Sequence, residues 1–132
     1  VLSDVEVEVY AEVRPTESEA KVRSAVLNLI DLDEVEVLVM NNTKFIHGKA
    51  RGLRSLGKLR ELIRRGRIGE TAREVLSRSV IGNEVVINAN KQAAYVGILS
   101  FAMGEVESPL GPITIRIRTS NPQHLITWLT SG

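Results

Sequence analysis

At 132 residues, with a formal net charge of +1, 43% hydrophobic and 25% charged side chains, the chain has the make-up of one globular domain (residues 1–132) able to bury its own core. It has no cysteine, which excludes structural disulfides, cysteine-ligated zinc and thiol catalysis. No apolar run approaches the roughly 18 residues that span a bilayer, and the acidic, alternating N-terminus is unlike a signal peptide, so a cytoplasmic protein without membrane contact is expected.

Val5, Val7, Val9, Ala11 and Val13 alternate with Glu6, Glu8, Tyr10 and Glu12, which predicts a strand with one buried face. Arg14-Pro15-Thr16 ends it. Thr16 with Glu19 matches a capping box, and Val22, Ala25, Val26, Leu29 and Ile30 at helical spacing predict a helix over about 16–30. Val35, Val37 and Val39 alternate again. Leu38 and Met40 make this strand apolar on both faces towards its end, the pattern of a central strand. Asn41-Asn42-Thr43 suits a tight turn because asparagine tolerates positive φ, so 34–50 reads as a hairpin.

Leu53, Leu56, Leu59, Leu62 and Ile63 predict a helix over about 52–66, with Gly57 inside it at a cost of roughly 1 kcal/mol against alanine. Ala72, Val75, Leu76 and Val80 predict a third helix over about 69–80. Val85, Val86 and Ile87 form a short apolar run read as a strand. Tyr95 to Phe101 reads as another, and Asn90-Lys91-Gln92 between them as a polar turn. Ile113, Ile115 and Ile117 alternate with Thr114, Arg116 and Arg118. The proline-containing loop 108–112 makes 95–105 and 112–119 natural antiparallel partners. Asn121 then caps a last helix with Pro122 in its first turn. The order implies an α+β fold: a single mixed, largely antiparallel sheet with helices packed on one face, the other face open or closed by a partner.

The charges are unevenly spread. Lys44 to Arg78 carries eleven bases against three acids, a formal +8, and the remaining residues carry −7. Such a split points to a polyanionic partner. On a helical wheel Arg54, Lys58 and Arg65 oppose the leucines of the 52–66 helix, while Arg60 and Arg64 flank them. A helix start near Gly52 with Lys49, Arg51 and Arg54 beside it would make an anion seat, and Gly66 to Glu70 with Arg65 and Arg67 a second. A plain solvated face would also carry such bases, with Glu61 pairing to Lys58 and Arg65. No nucleotide-binding fingerprint of the GxxxxGK[ST] type is present. His47 and His124 have no metal-ligand spacing around them, and Asp31, Asp33, Glu34 and Glu36 match no calcium loop. The chain therefore shows no catalytic constellation, and no cofactor is implied. Aromatic rings are few, which favours shape- and phosphate-directed contact with structured RNA over base stacking.

Val13-Arg14-Pro15-Thr16-Glu17 with Lys21-Val22, Thr71-Ala72-Arg73, and Asn90-Lys91-Gln92-Ala93-Ala94-Tyr95-Val96-Gly97 followed by Pro109-Leu110-Gly111-Pro112-Ile113 together carry a resemblance. Over essentially the whole chain they resemble a conserved archaeal family of uncharacterised small proteins, described as a predicted RNA-binding domain with a suggested exosome link. The resemblance implies a fold like that of the large-subunit ribosomal protein that binds the small ribosomal RNA. It also implies RNA as partner, and it carries no catalytic residues.

Two readings follow. In the first, the chain is a non-enzymatic RNA-binding domain. Lys49, Arg51, Arg54, Lys58, Arg65 and Arg67 meet phosphates, Arg60 and Arg64 orient the helix, and Lys91 either adds a contact or sits in a turn that serves only its own backbone. In the second, it is a protein-interaction or homodimerisation module with no nucleic-acid role: a strand edge or the uncovered sheet face makes the contact, and the basic helix meets an acidic partner or the acidic half of another copy. The assembly expected is a homodimer or an RNA-processing protein complex.

Overall fold

The computed structural model describes residues 4–102 and 111–131. Strands β1 (Glu6–Val13), β2 (Glu34–Met40), β3 (Thr43–Arg51), β4 (Val80–Ile81), β5 (Glu84–Asn90) and β6 (Pro112–Arg118) form one sheet in the order β2-β3-β1-β6-β5-β4. Every neighbouring pair is antiparallel, so the sheet contains no parallel pair. Helices α1 (Glu19–Leu29), α2 (Gly57–Arg65), α3 (Gly69–Arg78), α4 (Lys91–Tyr95) and α5 (Pro122–Thr130) complete the α+β fold, with a 3-10 turn at Leu53–Leu56.

The period-two pattern decides which side the helices cover. Val7, Val9 and Ala11 of β1, Ile113, Ile115 and Ile117 of β6, and Val85, Ile87 and Ala89 of β5 are buried. They meet Val22, Val26 and Leu29 of α1, Leu59 and Ile63 of α2, Leu76 of α3 and Leu125 of α5 in one core. Each such side chain is worth about 1.5–3 kcal/mol when fully buried, which is what orders the layers. The opposite sheet face is polar and has no covering layer among the described residues.

The 34–50 hairpin forms as its pattern predicts. Asn41 and Asn42 both take positive φ, 50° and 64°, giving the two-residue turn that matches the twist of the flanking strands. Strand β2 is however an edge strand, paired with β3 only, and not the central strand its two apolar faces suggest.

Other departures have local causes. Helix α1 starts later than expected because Ser18, and not Thr16, is its cap, the Ser18 hydroxyl accepting the Lys21 amide at 3.4 Å. Thr16 lies instead in a turn closed by the Glu17 amide on the Arg14 carbonyl, 2.8 Å. Gly57 marks the change from 3-10 turn to α2 rather than a mid-helix contact; a Cβ there would meet nothing within 4 Å. Helix α3 ends at Arg78, and Val80 belongs to a short hairpin with Gly82 at φ 60° in its turn.

Residues 91–95 are helical because Asn90 caps them, its side chain accepting the Ala93 amide at 2.9 Å. The strand expected over 95–101 is therefore absent. Gly97 turns the chain at φ 75°, and Phe101 makes a single bridge to Ala89. The partners of β6 are β1 and β5, not the segment before the loop. Residues 103–105 of that expected strand and 108–110 of the loop lie outside the described residues.

Candidate nucleic-acid interface

The basic stretch folds into the end of β3, the 3-10 turn, α2 and α3. Leu56, Leu59, Leu62 and Ile63 turn inward and commit one side of α2 to the core. The remaining sides carry Arg54, Lys58, Arg60, Arg64 and Arg65, and the α2–α3 link carries Arg67 at φ 55°.

At the start of this surface the expected anion seat is already occupied by the chain's own carboxylate. Asp33 Oδ2 accepts the Arg51 amide at 3.0 Å, and Oδ1 lies 3.7 Å from the Arg54 guanidinium. The Gly52 amide is also engaged, donating to the Val5 carbonyl at 2.9 Å. Lys58 donates to the Leu27 carbonyl at 2.8 Å and stands 3.2 Å from Asp31. Asp31 and Asp33 come from the α1–β2 connection, so sequence proximity did not pair them with the basic helix. These are exposed pairs, with Arg54 86% accessible, and each is worth about 0–1 kcal/mol. A phosphate could displace them at little cost.

At the far end of α2, Arg64 donates twice to Glu61, at 2.8 and 2.6 Å, and Arg65 lies 3.8 Å from the same carboxylate. The Arg64 hydrogen bond holds the Glu61 carboxyl below its ordinary range and pushes Arg64 up. Arg60 is tied down: its Nε donates to the Trp128 carbonyl at 2.9 Å and its guanidinium lies over the indole at 5.1 Å. It ties α2 to α5.

Beside this end lies a cleft of about 450 Å³ between α2, α3 and the end of α5. Arg64, Arg67 and Arg73 line it, with Glu70 as its acid. No side chain caps the start of α3, which opens into the same cleft at Gly69 and Thr71. Gly69 permits the close approach of α5, since a Cβ there would sit 3.0 Å from the Thr130 carbonyl. Arg73 donates to the Thr130 hydroxyl at 3.2 Å, which aims it along this wall. Sequence reading left Arg73 out of the set; its place as the fifth residue of α3, after a short link, was the available signal.

Lys49 and Arg51 point the other way, onto the open sheet face. There the registers build stripes of alternating sign: Glu84 on β5, Arg116 and Arg118 on β6, Glu6 and Glu8 on β1, Lys49 and Arg51 on β3, Glu34 and Glu36 on β2. With Glu12 the face has six acids against four bases among the described residues. A shallow groove of about 540 Å³ runs across its charged end.

Lys91 does not lie on a surface. It is 1% exposed, donating to the Glu12 carbonyl at 2.6 Å and to Glu17 at 3.0 Å. Glu17 also accepts the Arg14 amide at 3.0 Å and the Tyr95 hydroxyl at 2.9 Å. Burial pushes Glu17 up, but the Arg14 amide, Lys91 and Tyr95 outweigh it and hold the carboxyl below its ordinary value. Burial and then Glu17 push the Tyr95 hydroxyl up to about 12. Lys91 is thus an internal tie between the β1–α1 turn and α4, and it leaves the set of candidate contacts.

His47 is buried on the sheet between Glu8, 2.8 Å from Nε2, and Glu36, 3.0 Å from Nδ1, with the Tyr10 ring at 4.6 Å. The hydrogen bond from His47 holds the Glu8 carboxyl below its ordinary value. Among the described residues no three acidic or imidazole side chains form a metal-sized group, and no helix is long and apolar enough to cross a membrane.

A family model described as RNA binding matches residues 6–119. The UPF0201 protein of Thermococcus onnurineus is 48% identical over 124 residues, covering 94% of this chain and 90% of the relative. The UPF0201 protein of Sulfurisphaera tokodaii is 43% identical over 122 residues, covering 92% and 84%. Among solved structures, the UPF0201 protein from Methanococcus jannaschii has a similar fold, with a TM-score of 0.81 at 30% identity, covering 95% of this chain and 98% of that one.

Proposed function

The chain belongs to the UPF0201 family and to the family whose model is described as RNA binding, and from that membership we propose that it binds structured RNA through the outer surface of α2 and α3. The observation that carries the choice of face is the cleft lined by Arg64, Arg67 and Arg73 at the uncapped start of α3. Guanidinium groups there offer forked donors to phosphate oxygens, and the helix start adds a favourable field. Arg54, Lys58 and Arg65 extend the same basic surface along α2. Leu53 to Arg78 holds eight bases and three acids, and with Asp31 and Asp33 set against Lys58 and Arg54 this surface keeps a formal +3, whereas the sheet face is two charges negative among the described residues. A polyanion gains on the first surface and loses on the second. Phosphate contact without base stacking also suits a surface whose one indole, Trp128, is covered by Arg60. Lys49 and Arg51 belong to the sheet face and lie outside this surface. The exosome link implied by the resemblance would make this surface a contact within an RNA-processing complex.

The test is titration of a hairpin RNA, read by fluorescence anisotropy over a salt series. Arg67→Glu with Arg73→Glu should abolish measurable binding at moderate salt, whereas Arg116→Glu with Arg118→Glu on the sheet face should leave it near wild type. Replacing one contacting arginine by alanine should lower the slope of log K against log salt by about 0.7–0.9. Equal losses from both faces, or none from the cleft, would place the RNA elsewhere.

A further inference from the structure

Strand β2 presents a contradiction that its surroundings do not resolve. Its sequence, Glu-Val-Glu-Val-Leu-Val-Met, becomes apolar on both faces towards its end, yet it stands at the sheet edge with β3 as its one strand neighbour among the described residues. Val39 is 66% and Met40 47% exposed, and Val35, Val37 and Leu38 are half-buried. The strand has no lysine, no proline and no bulge near its apolar end, the usual guards of a free edge. We propose that β2 pairs antiparallel with β2 of a second copy of this chain, across a two-fold axis at Val37, making one continuous sheet.

The turn geometry sets the phase of the free main-chain groups. A two-residue hairpin turn is closed by a pair that exchanges both of its hydrogen bonds, here Met40 and Thr43. Counting back by twos, Leu38, Glu36 and Glu34 also bond inward to β3. The Gly52 amide reaching the Val5 carbonyl at 2.9 Å agrees with this phase, because it assigns the even-numbered groups of β3 to β1 and leaves the odd-numbered ones, Thr43 to Arg51, for β2. Val35, Val37 and Val39 therefore send their N–H and C=O groups outward, to the edge.

Only some registers let two such edges meet. With the axis at Val37, Val37 faces the partner's Val37 and Val35 faces the partner's Val39, so all three outward residues of each copy are paired. On the other side Glu36 faces the partner's Leu38 and Glu34 faces the partner's Met40. No carboxylate opposes a carboxylate. Moving the axis to Val35 sets Glu34 against Glu36, a destabilising like-charge pair. Moving it to Glu36 sets that carboxylate against its own copy, and moving it to Leu38 or Val39 leaves Val35 without a strand partner. The strand is thus self-complementary in one register, as an isologous contact requires. It also explains the central-strand pattern: β2 is central in the joined sheet. Paired residues across an antiparallel contact point to the same side, so both helical layers, and both copies of the basic surface, would share one side. That last consequence rests on the RNA reading above; the pairing does not.

The test uses the intact chain without RNA, by sedimentation equilibrium at low and high protein concentration and at low and high salt. The wild type should reach twice the 14.5 kDa of one chain, with little salt dependence because main-chain bonds and valines make the contact. Val37→Pro removes an N–H that bonds nothing in one copy, a position where an edge strand tolerates proline. It should halve the mass while keeping the wild-type circular dichroism. If Val37→Pro fails to fold, Val39→Lys, at an exposed position, should halve the mass instead. Hydrogen exchange in the wild-type dimer should protect the amides of Val35, Val37 and Val39 and lose that protection on dilution. A wild type that stays at 14.5 kDa throughout overturns the proposal, as does a dimer in which the folded variant keeps the wild-type mass or those amides exchange freely.

Discussion

Lys91→Met tests how the β1–α1 turn and α4 are held together. The substitution keeps the length of the side chain and removes its charge. Among the described residues the Glu12 carbonyl loses the ammonium 2.6 Å away, and the buried Glu17 carboxylate loses its neutralising charge 3.0 Å away while keeping the Arg14 amide and the Tyr95 hydroxyl. The lysine side chain is 0% and that of Glu17 5% exposed, so water cannot replace what is lost. Removing one member of such a pair leaves an uncompensated buried charge and costs about 3–5 kcal/mol. For a domain of this size that is a fall in Tm of about 10–18 °C. The pH dependence distinguishes this account from lost packing. In the wild type Glu17 sits below its ordinary 4.5. It therefore adds stability above that pH, and this is lost as pH falls through the folded value. In Lys91→Met the lowering by Lys91 is gone, so the carboxyl moves up from its wild-type value while the Arg14 amide and Tyr95 still oppose burial. The deficit is then full at neutral pH and shrinks as acid protonates Glu17. Urea unfolding at neutral and acid pH measures both. Lys91→Met with Glu17→Gln should be more stable than the single variant at neutral pH. A single variant within about 1 kcal/mol of wild type, or a double variant less stable than the single, would refute the reasoning.

Two further outcomes are expected. Gly57→Ala should raise stability by about 0.5–1 kcal/mol in thermal or urea unfolding, because the site has helical φ of −59° and open space for a methyl group; any loss would mean an unrecognised contact. Glu8→Gln should flatten the acid limb of stability. The hydrogen bond from His47 lowers the Glu8 pKa, so its contribution is present above the ordinary value of 4.5 and is lost as pH falls through the folded one. Its side chain is 37% exposed, so screening limits the effect to about 1 kcal/mol or less.

The sheet and most helices were legible where a period was unbroken. β1, β6 and the Asn41-Asn42 hairpin follow directly from alternation and turn chemistry, and α5 from Asn121-Pro122. What misled was information that only tertiary partners hold. Tyr95 to Phe101 is apolar enough for a strand, but the Asn90 cap and Ala93-Ala94 win locally, and α1 receives the result through Asn28, which donates to the Ala94 carbonyl at 2.9 Å. The basic block was legible as charge and not as a site. Part of its offset comes from Asp31 and Asp33, residues of the α1–β2 connection that the fold brings alongside. Lys91 looked like a cation in a polar loop because nothing in its neighbourhood reveals that Glu17, far away in sequence, will meet it.

That meeting bears on what the family likeness can say about function. The turn Arg14 to Glu17 and the segment Asn90 to Tyr95, which carried the resemblance, converge on one buried tie. A motif of this kind identifies a fold, and the ligand must be argued from the surface. The surface divides cleanly. On the open sheet face each acid stripe lies beside a basic one, as Glu6 lies between Arg51 and Arg118. Cross-strand pairs of opposite charge are worth about 0.2–1 kcal/mol each, so this face is largely satisfied within one chain and stays solvated without a covering layer. A phosphate backbone laid across it would meet the β1 carboxylates at the centre. On α2 and α3 no such striping exists, and Glu61, Glu70 and Glu74 cannot offset eight bases. With Asp31 and Asp33 counted against Arg54 and Lys58, the helical layer still keeps more bases than acids, and that remaining excess is the support for the RNA contact proposed there.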